Sequence, residues 1–387
     1  MGNHSPAPMP FMPQLDGLRA IAVGAVLVHH LLAQDLLPGL LSQVSWGFAG
    51  VRLFFVLSGF LITAILLRAR ADAERLGTSP MWVIRQFYAR RFLRIFPLYY
   101  FVIFAGALLN LPPIREEFWW LVSYLFNFRL AQLGWYPEHI AHFWSLAVEE
   151  QFYLFWPWLV LFAPRRLLLP IALIMSAFGP VSRALALSAE LPGLAIYTLT
   201  SSCLDTLGLG AALAIAAGGA PAAQALVAKL ARLALPVGLF GIITLDALVE
   251  PGGWRHADVA HVILYDTAMA LFCCWLVAAA SQGFSGIFGR MLRFGPVAYC
   301  GHIAYGIYVF HLPVAGALYQ TGRWLGLGFT WGSYGFFVSA SLLTIAVAAL
   351  SWHAMESPLN DLKRYFPYQR ADGRGLKPKS NKQRRST

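Results

Sequence analysis

The sequence predicts an all-α, polytopic membrane helix bundle of about ten transmembrane helices with both termini in the cytoplasm. Three observations carry this prediction. Of 387 residues, 58% are hydrophobic and only 12% charged, against about 25% charged in soluble domains. Apolar runs of roughly 20 residues, enough to cross a hydrocarbon core, recur along the chain. Lys and Arg are distributed unequally between alternate connections, which orients the spans. The mean hydropathy of +0.60 agrees.

The runs place spans near 15–34, 48–67, 94–111, 144–163, 167–188, 193–217, 233–250, 259–280, 294–318 and 332–354. Twenty-two of the 29 Lys and Arg residues fall in one set of alternate connections and the tail. Segment 68–94 alone holds Arg68, Arg70, Arg75, Arg85, Arg90, Arg91 and Arg94. The opposite connections hold Arg115, Arg129, Arg255 and Arg323. This excess puts both ends on the cytoplasmic side. It also accounts for the +11 net charge without a nucleic-acid partner.

Three segments are expected: a short cytoplasmic N-terminus over 1–14, one transmembrane domain over 15–358, and a basic, disordered cytoplasmic tail over 359–387. The first thirteen residues lack the basic-apolar-cleavage pattern of a signal peptide, so the first span is read as its own insertion signal. Cys203, Cys273, Cys274 and Cys300 lie within or beside apolar runs and imply no disulfide framework. Membrane lipids are the expected surroundings, including attraction of the basic tail to anionic headgroups.

Ionisable groups inside a span are costly and mark candidate sites. The first span carries Asp16, Arg19, His29 and His30. At about 100° per residue, the eleven steps from Arg19 to His30 return to within about 20° of one face. Asp16 is three residues from Arg19 and shares that face. Asp16, Arg19 and His30 thus form a polar stripe about 16 Å long, while His29 points elsewhere. Arg52 sits at the outer end of the second span, and Ser58 and Gly59 within it permit close helix approach. Arg91 and Arg94 share a face at the inner end of the third span, and Arg forks suit phosphate. The fourth span opens with His142 and carries Glu149 and Glu150. Tyr308 and His311 lie in the ninth span, with His302 on the face opposite His311. Arg183, Asp205, Asp246 and Asp266 are further charges with no partner evident in sequence. Combined with the orientation, His30, Arg52, His142, Glu149 and His311 fall in the outer half, and Arg19, Arg91 and Arg94 in the inner half.

These segments together resemble the acyltransferase family 3 membrane enzymes. The resemblance rests on Leu15-Asp16-Gly17-Leu18-Arg19-Ala20 with His30, on Leu53 to Leu61 including Phe54-Phe55-Val56-Leu57-Ser58-Gly59, and on Arg90-Arg91-Phe92-Leu93-Arg94. It continues through Phe143-Trp144-Ser145-Leu146-Ala147-Val148-Glu149-Glu150-Gln151-Phe152-Tyr153, Tyr308 to Pro313, and Glu356-Ser357-Pro358. It covers about 15–358, and the family's usual layout is ten spans. Serines common in the family are replaced here by Ala304 and Gly306. The soluble hydrolase-like domain that some members carry after the membrane part is not expected here, so transfer would be either direct or completed by a separate periplasmic partner.

The resemblance implies transfer of an acyl group, most often acetyl, from cytoplasmic acyl-CoA to a hydroxyl of an extracytoplasmic glycan such as an exopolysaccharide or lipopolysaccharide. Some members acylate small metabolites such as macrolides. The setting would be the bacterial inner membrane, with acyl-CoA as co-substrate, no permanently bound cofactor and no metal. A His of ordinary pKa suits removal of the acceptor proton or transient acyl carriage, which points to His30, with Glu149 orienting it or sharing the proton. Arg19 would hold Asp16 and line the acyl-CoA path, and Arg91 and Arg94 would grip CoA phosphates. Ser58, Glu150, Tyr308, His311 and Arg52 would support the site. The same intramembrane Arg, His and Glu also suit a transporter of an anionic lipid-linked or glycan precursor, and a non-catalytic scaffold is the third class.

Overall fold

A computed structural model describes residues 12–137, 139–219, 221–247 and 259–369. Among these the regular elements are all helices. The longer ones are α1 (Pro13–Leu31), α2 (Trp46–Leu76), α3 (Pro80–Leu108), α4 (Phe143–Phe162), α5 (Arg165–Ser188) and α6 (Leu204–Ala217). They are followed by α7 (Pro221–Ala247), α8 (Val259–Gln282), α9 (Gly295–His302), α10 (Ala304–Trp324) and α11 (Tyr334–Ser351). Six helices among the described residues are long and apolar enough to cross a membrane, or seven if the bent pair α9–α10 is one span. The protein is therefore built as a multi-pass membrane bundle. Neither α1 nor α4 meets that measure; these two helices carry the Asp16–Arg19 stripe and the Glu149–Glu150 pair.

Apolar side chains cover the outside. Leu173, Ile174, Phe178, Val181 and Leu185 of α5 are exposed, as are Leu154, Phe155, Trp158, Leu159 and Phe162 of α4. Such a belt suits lipid rather than water. Inside, α2 packs closely on α6. A Cβ on Gly59 would lie 2.1 Å from the Leu207 carbonyl oxygen, and one on Gly210 would lie 2.2 Å from that of Val56. The two glycines face each other's helix backbones, the small-residue contact that replaces hydrophobic driving force in lipid.

Three boundaries differ from the sequence expectation. Segment 68–94 is not a loop. Helix α2 runs on to Leu76, ends at Gly77 in the left-handed conformation (φ 66°), and α3 begins at Pro80 with Ser79 accepting from the Met81 amide. Charges lower hydropathy without breaking a helix: Arg70 and Glu74 pair at 2.9 Å one turn apart. Arg90, Arg91 and Arg94 therefore sit within α3, on a rigid helix. The span expected over 294–318 is broken at Ile303, where α9 and α10 meet at 74°. The sixth expected span begins as a short helix, Gly193–Thr198, then a 3₁₀ turn before α6.

Helix α11 passes through a π turn, Trp352–Glu356, into Ser357–Asp361. Residues 359–369, expected to be tail, pack against the basic end of α3. Arg90 donates to the carbonyls of Lys363 (2.9 Å) and Phe366 (3.2 Å), and its guanidinium lies 5.2 Å from the Tyr368 ring. The remainder of the expected tail, 370–387, and residues 1–11 of the expected N-terminus lie outside the described residues.

Candidate active site

The helices line a half-open cavity of about 140 Å³ between α1, α2, α3, α4, α9 and α10. Arg19 reaches it from α1, Ser58 from α2, and Arg91 and Arg94 from α3. Helix α4 contributes Ser145, Glu149, Glu150 and Tyr153, and α10 contributes Tyr305 and Tyr308. The lining thus combines basic, acidic and phenolic groups.

Local sequence explains each placement. Asp16 and Arg19, one turn apart, form an ion pair at 2.5 Å with Asp16 buried beneath it. Arg91 and Arg94, also one turn apart on α3, turn inward, while Arg90 turns to the docked residues 363–368. The Arg91 guanidinium lies 4.4 Å from the Tyr153 ring. Arg94 donates to the His302 carbonyl (3.0 Å) and lies 4.8 Å from the Trp352 ring. These stacked contacts hold both forks in the cavity wall and leave most of their donors unused.

On α4, Ser145 and Glu149 are four residues apart and share a face, with Tyr153 one further turn along. Ser58 donates to a Glu149 oxygen, and the Tyr153 hydroxyl donates to Ser58 at 2.9 Å. Tyr153, Ser58 and Glu149 therefore form one hydrogen-bonded chain across α2 and α4. Glu149 is bonded here to a serine of α2 rather than to His30, so the expectation that it orients His30 is not met in this arrangement.

His30 lies in a second cluster, beside the cavity rather than lining it. Its Nδ1 is 3.2 Å from the Val26 carbonyl oxygen and 3.2 Å from Nε2 of His311. His311 is fully buried, with its Nδ1 2.6 Å from the Tyr308 carbonyl oxygen. The His142 ring is 4.6 Å from that of His311. His142 Nε2 lies 3.3 Å from the Val309 carbonyl oxygen. The Ser145 and Tyr308 hydroxyls of the cavity lining are 2.6 Å apart and each 3.1 Å from the His142 carbonyl oxygen, which links the lining to the backbone of the histidine cluster. Among the described residues no group of three or more His, Cys, Asp or Glu is arranged to hold a metal ion.

Arg52 is not in this cavity. Six residues separate it from Ser58, which turns it about 120° around α2. It is fully buried and pairs with Asp266 of α8 at 2.6 Å, its guanidinium 4.3 Å from the Phe48 ring. Arg183 of α5 pairs with Asp205 of α6 at 2.7 Å and with Asp266 at 3.4 Å. Two arginines and two aspartates thus balance one another inside the bundle, as buried charges must. Sequence reasoning left three of these four charges without a partner. Their shared position inside apolar spans was the available signal. It also missed Ser145, Tyr153 and Tyr305 as cavity residues, although the four-residue spacing from Ser145 to Glu149 could have found the first.

A family model described as an acyltransferase domain matches residues 12–353. The chain is 26% identical over 381 residues to O-acetyltransferase OatA of Staphylococcus aureus, covering 90% of this chain and 57% of that protein. It is 27% identical over 378 residues to the putative peptidoglycan O-acetyltransferase YrhL of Bacillus subtilis (90% and 55%). It is 29% identical over 343 residues to peptidoglycan O-acetyltransferase OatA of Listeria monocytogenes (79% and 49%). The chain therefore spans about half the length of these curated relatives. No solved structure matches it.

Proposed function

Because the chain belongs to the acyltransferase family whose model spans residues 12–353, we propose that it carries an acetyl group across the membrane, from acyl-CoA on the basic side to a hydroxyl of an extracytoplasmic glycan. In this reading residues 15–358 form the acyltransferase unit, with about ten spans and both termini in the cytoplasm of a bacterial inner membrane. Residues 1–14 and 359–387 flank it. The acceptor named for two of the relatives is peptidoglycan, which makes it the first glycan to test.

The observation that carries the proposal is the cavity itself: it joins the guanidinium groups of Arg19, Arg91 and Arg94 to the Ser145–Tyr308 pair, which contacts the backbone of the histidine cluster. The three arginines offer forked donors to the phosphates of CoA at the inner mouth. The pantetheine arm extends along the face of α1 from Arg19 towards His30, a distance of about 16 Å along the helix axis. For the thioester to meet His30, the Tyr308 hydroxyl leaves Ser145 and the partition opens. His30 takes the proton of the acceptor hydroxyl as its oxygen attacks the thioester carbonyl carbon. A C–O bond forms, the C–S bond breaks, and the CoA thiolate leaves to be reprotonated. The Ser58–Glu149 pair and Glu150 supply a polar wall beside the reacting carbonyl.

The test uses the full chain in proteoliposomes, with labelled acetyl-CoA outside and peptidoglycan oligosaccharides trapped inside. Ester-linked label on the trapped sugar is the expected result, with none from His30→Ala. Release of label only as free acetate, or export of unmodified sugar without acylation, would overturn the reading in favour of hydrolysis or transport.

A further inference from the structure

The two ring nitrogens of His30 are not equivalent, and their hydrogen-bond partners decide which one can accept a proton. A carbonyl oxygen only accepts. The 3.2 Å contact of His30 Nδ1 with the Val26 carbonyl oxygen therefore requires a hydrogen on Nδ1. The same nitrogen is 3.2 Å from Nε2 of His311, so that Nε2 must present a lone pair and share this one hydrogen with the Val26 carbonyl oxygen in a three-centre bond. The other face of His311 meets this demand. Its Nδ1 lies 2.6 Å from the Tyr308 carbonyl oxygen and carries the hydrogen of that bond. A neutral imidazole with hydrogen on Nδ1 has its lone pair on Nε2, the atom that faces His30. His311 is fully buried on α10, and the backbone of its own helix sets its tautomer.

We propose that His311 is a positioning residue: by accepting the Nδ1 hydrogen of His30 together with the Val26 carbonyl oxygen it holds that ring in one tautomer and one orientation, and leaves His30 Nε2 as the atom that takes the acceptor's proton. The inference rests on His30 as the base of the proposed reaction and adds the residue that aims it. The aid comes from an imidazole 281 residues away in sequence, where a carboxylate serves in hydrolytic triads. As His30 Nε2 gains its proton, the Nδ1–H bond to His311 becomes charge-assisted and strengthens. The bond thus favours the charged form that exists only during transfer. His142 plays no equivalent part: its Nε2 faces the Val309 carbonyl oxygen and its Nδ1 has no hydrogen-bond partner.

The experiment has two arms on the full chain in lipid nanodiscs. In the first, ¹⁵N-histidine spectra of the wild-type protein, with His30 assigned by its loss in His30→Gln, read which nitrogen is protonated. Hydrogen on Nδ1 with Nε2 bare is expected. Hydrogen on Nε2 overturns the proposal, and this reading needs only the conservative His30→Gln variant to fold, not any change at His311. In the second, His311→Leu removes the acceptor and His311→Gln restores an acceptor near the former Nε2. Loss of kcat by about 10²-fold in the leucine variant, with KM for acetyl-CoA unchanged and most of the loss recovered in the glutamine variant, is expected. Wild-type kcat in the leucine variant, or equal loss in both, overturns it. Should His30→Gln itself keep full activity, the base assignment fails instead, and the spectral result still stands or falls separately.

Discussion

The hydroxyls of Ser145 on α4 and Tyr308 on α10, two residues of the cavity lining, meet at 2.6 Å. Both also contact the carbonyl oxygen of His142, so one backbone group anchors the pair. In the proposed reaction this pair separates donor from acceptor until the thioester arrives.

Tyr308→Phe keeps the ring and removes the hydroxyl. If the partition works by these bonds, hydrolysis of acetyl-CoA without acceptor should rise severalfold, and transfer should fall by about tenfold, the equivalent of one hydrogen bond of ~1.4 kcal/mol. Steady-state measurement of acetate release against glycan acylation checks both. Unchanged partitioning between the two products would remove Tyr308 from the mechanism.

Arg91→Ala combined with Arg94→Ala should raise KM for acetyl-CoA by at least about tenfold, since each charge-assisted contact is worth ~1.5–3 kcal/mol. The same double variant should leave KM for acetyl-pantetheine, which lacks the nucleotide phosphates, close to wild type. Equal KM values for acetyl-CoA in variant and wild type would reduce the two arginines to topology signals.

Gly59→Ala adds a methyl group where the Leu207 carbonyl oxygen lies 2.1 Å away. Helices α2 and α6 must separate, at a cost of ~1–3 kcal/mol. A lower unfolding temperature, followed by labelling of the buried free thiols Cys203 and Cys273, is the expected readout. Gly24→Ala, at a position with open space around it, should show no such drop.

Asp266→Ala leaves Arg52 and Arg183 with only Asp205 between them inside the bundle. Removing one partner from a buried pair costs ~3–5 kcal/mol, enough to lower the yield of folded protein sharply. Glu74→Ala breaks the pairs of a half-exposed carboxylate with Arg165 (2.7 Å) and Arg70 (2.9 Å), and should cost about 1 kcal/mol or less. Parallel thermal unfolding of the two variants tests the contrast; comparable losses would mean that the buried network is not the stronger support.

Hydropathy, charge asymmetry and helical spacing are properties of consecutive residues, and they were sufficient for the all-helical membrane fold. They also sufficed for the shared face of Asp16 and Arg19 and for that of Arg91 and Arg94. Helix ends were less legible where polarity and helix-forming tendency diverge. Segment 68–76 is too charged for a membrane interior yet continues α2 without a break, and Ile303 splits an apolar run because the chain turns there.

Which groups meet across helices was decided only by packing. Glu149 finds Ser58 91 residues away, Arg52 finds Asp266 214 residues away, and His30 finds His311 281 residues away. A helix places a side chain on a face, but the partner on that face comes from another helix, and no local period encodes it. The sequence alone established that costly polar groups lie within apolar helices; the tertiary structure determined how they are satisfied, because a buried donor or charge takes whichever acceptor the neighbouring helix presents.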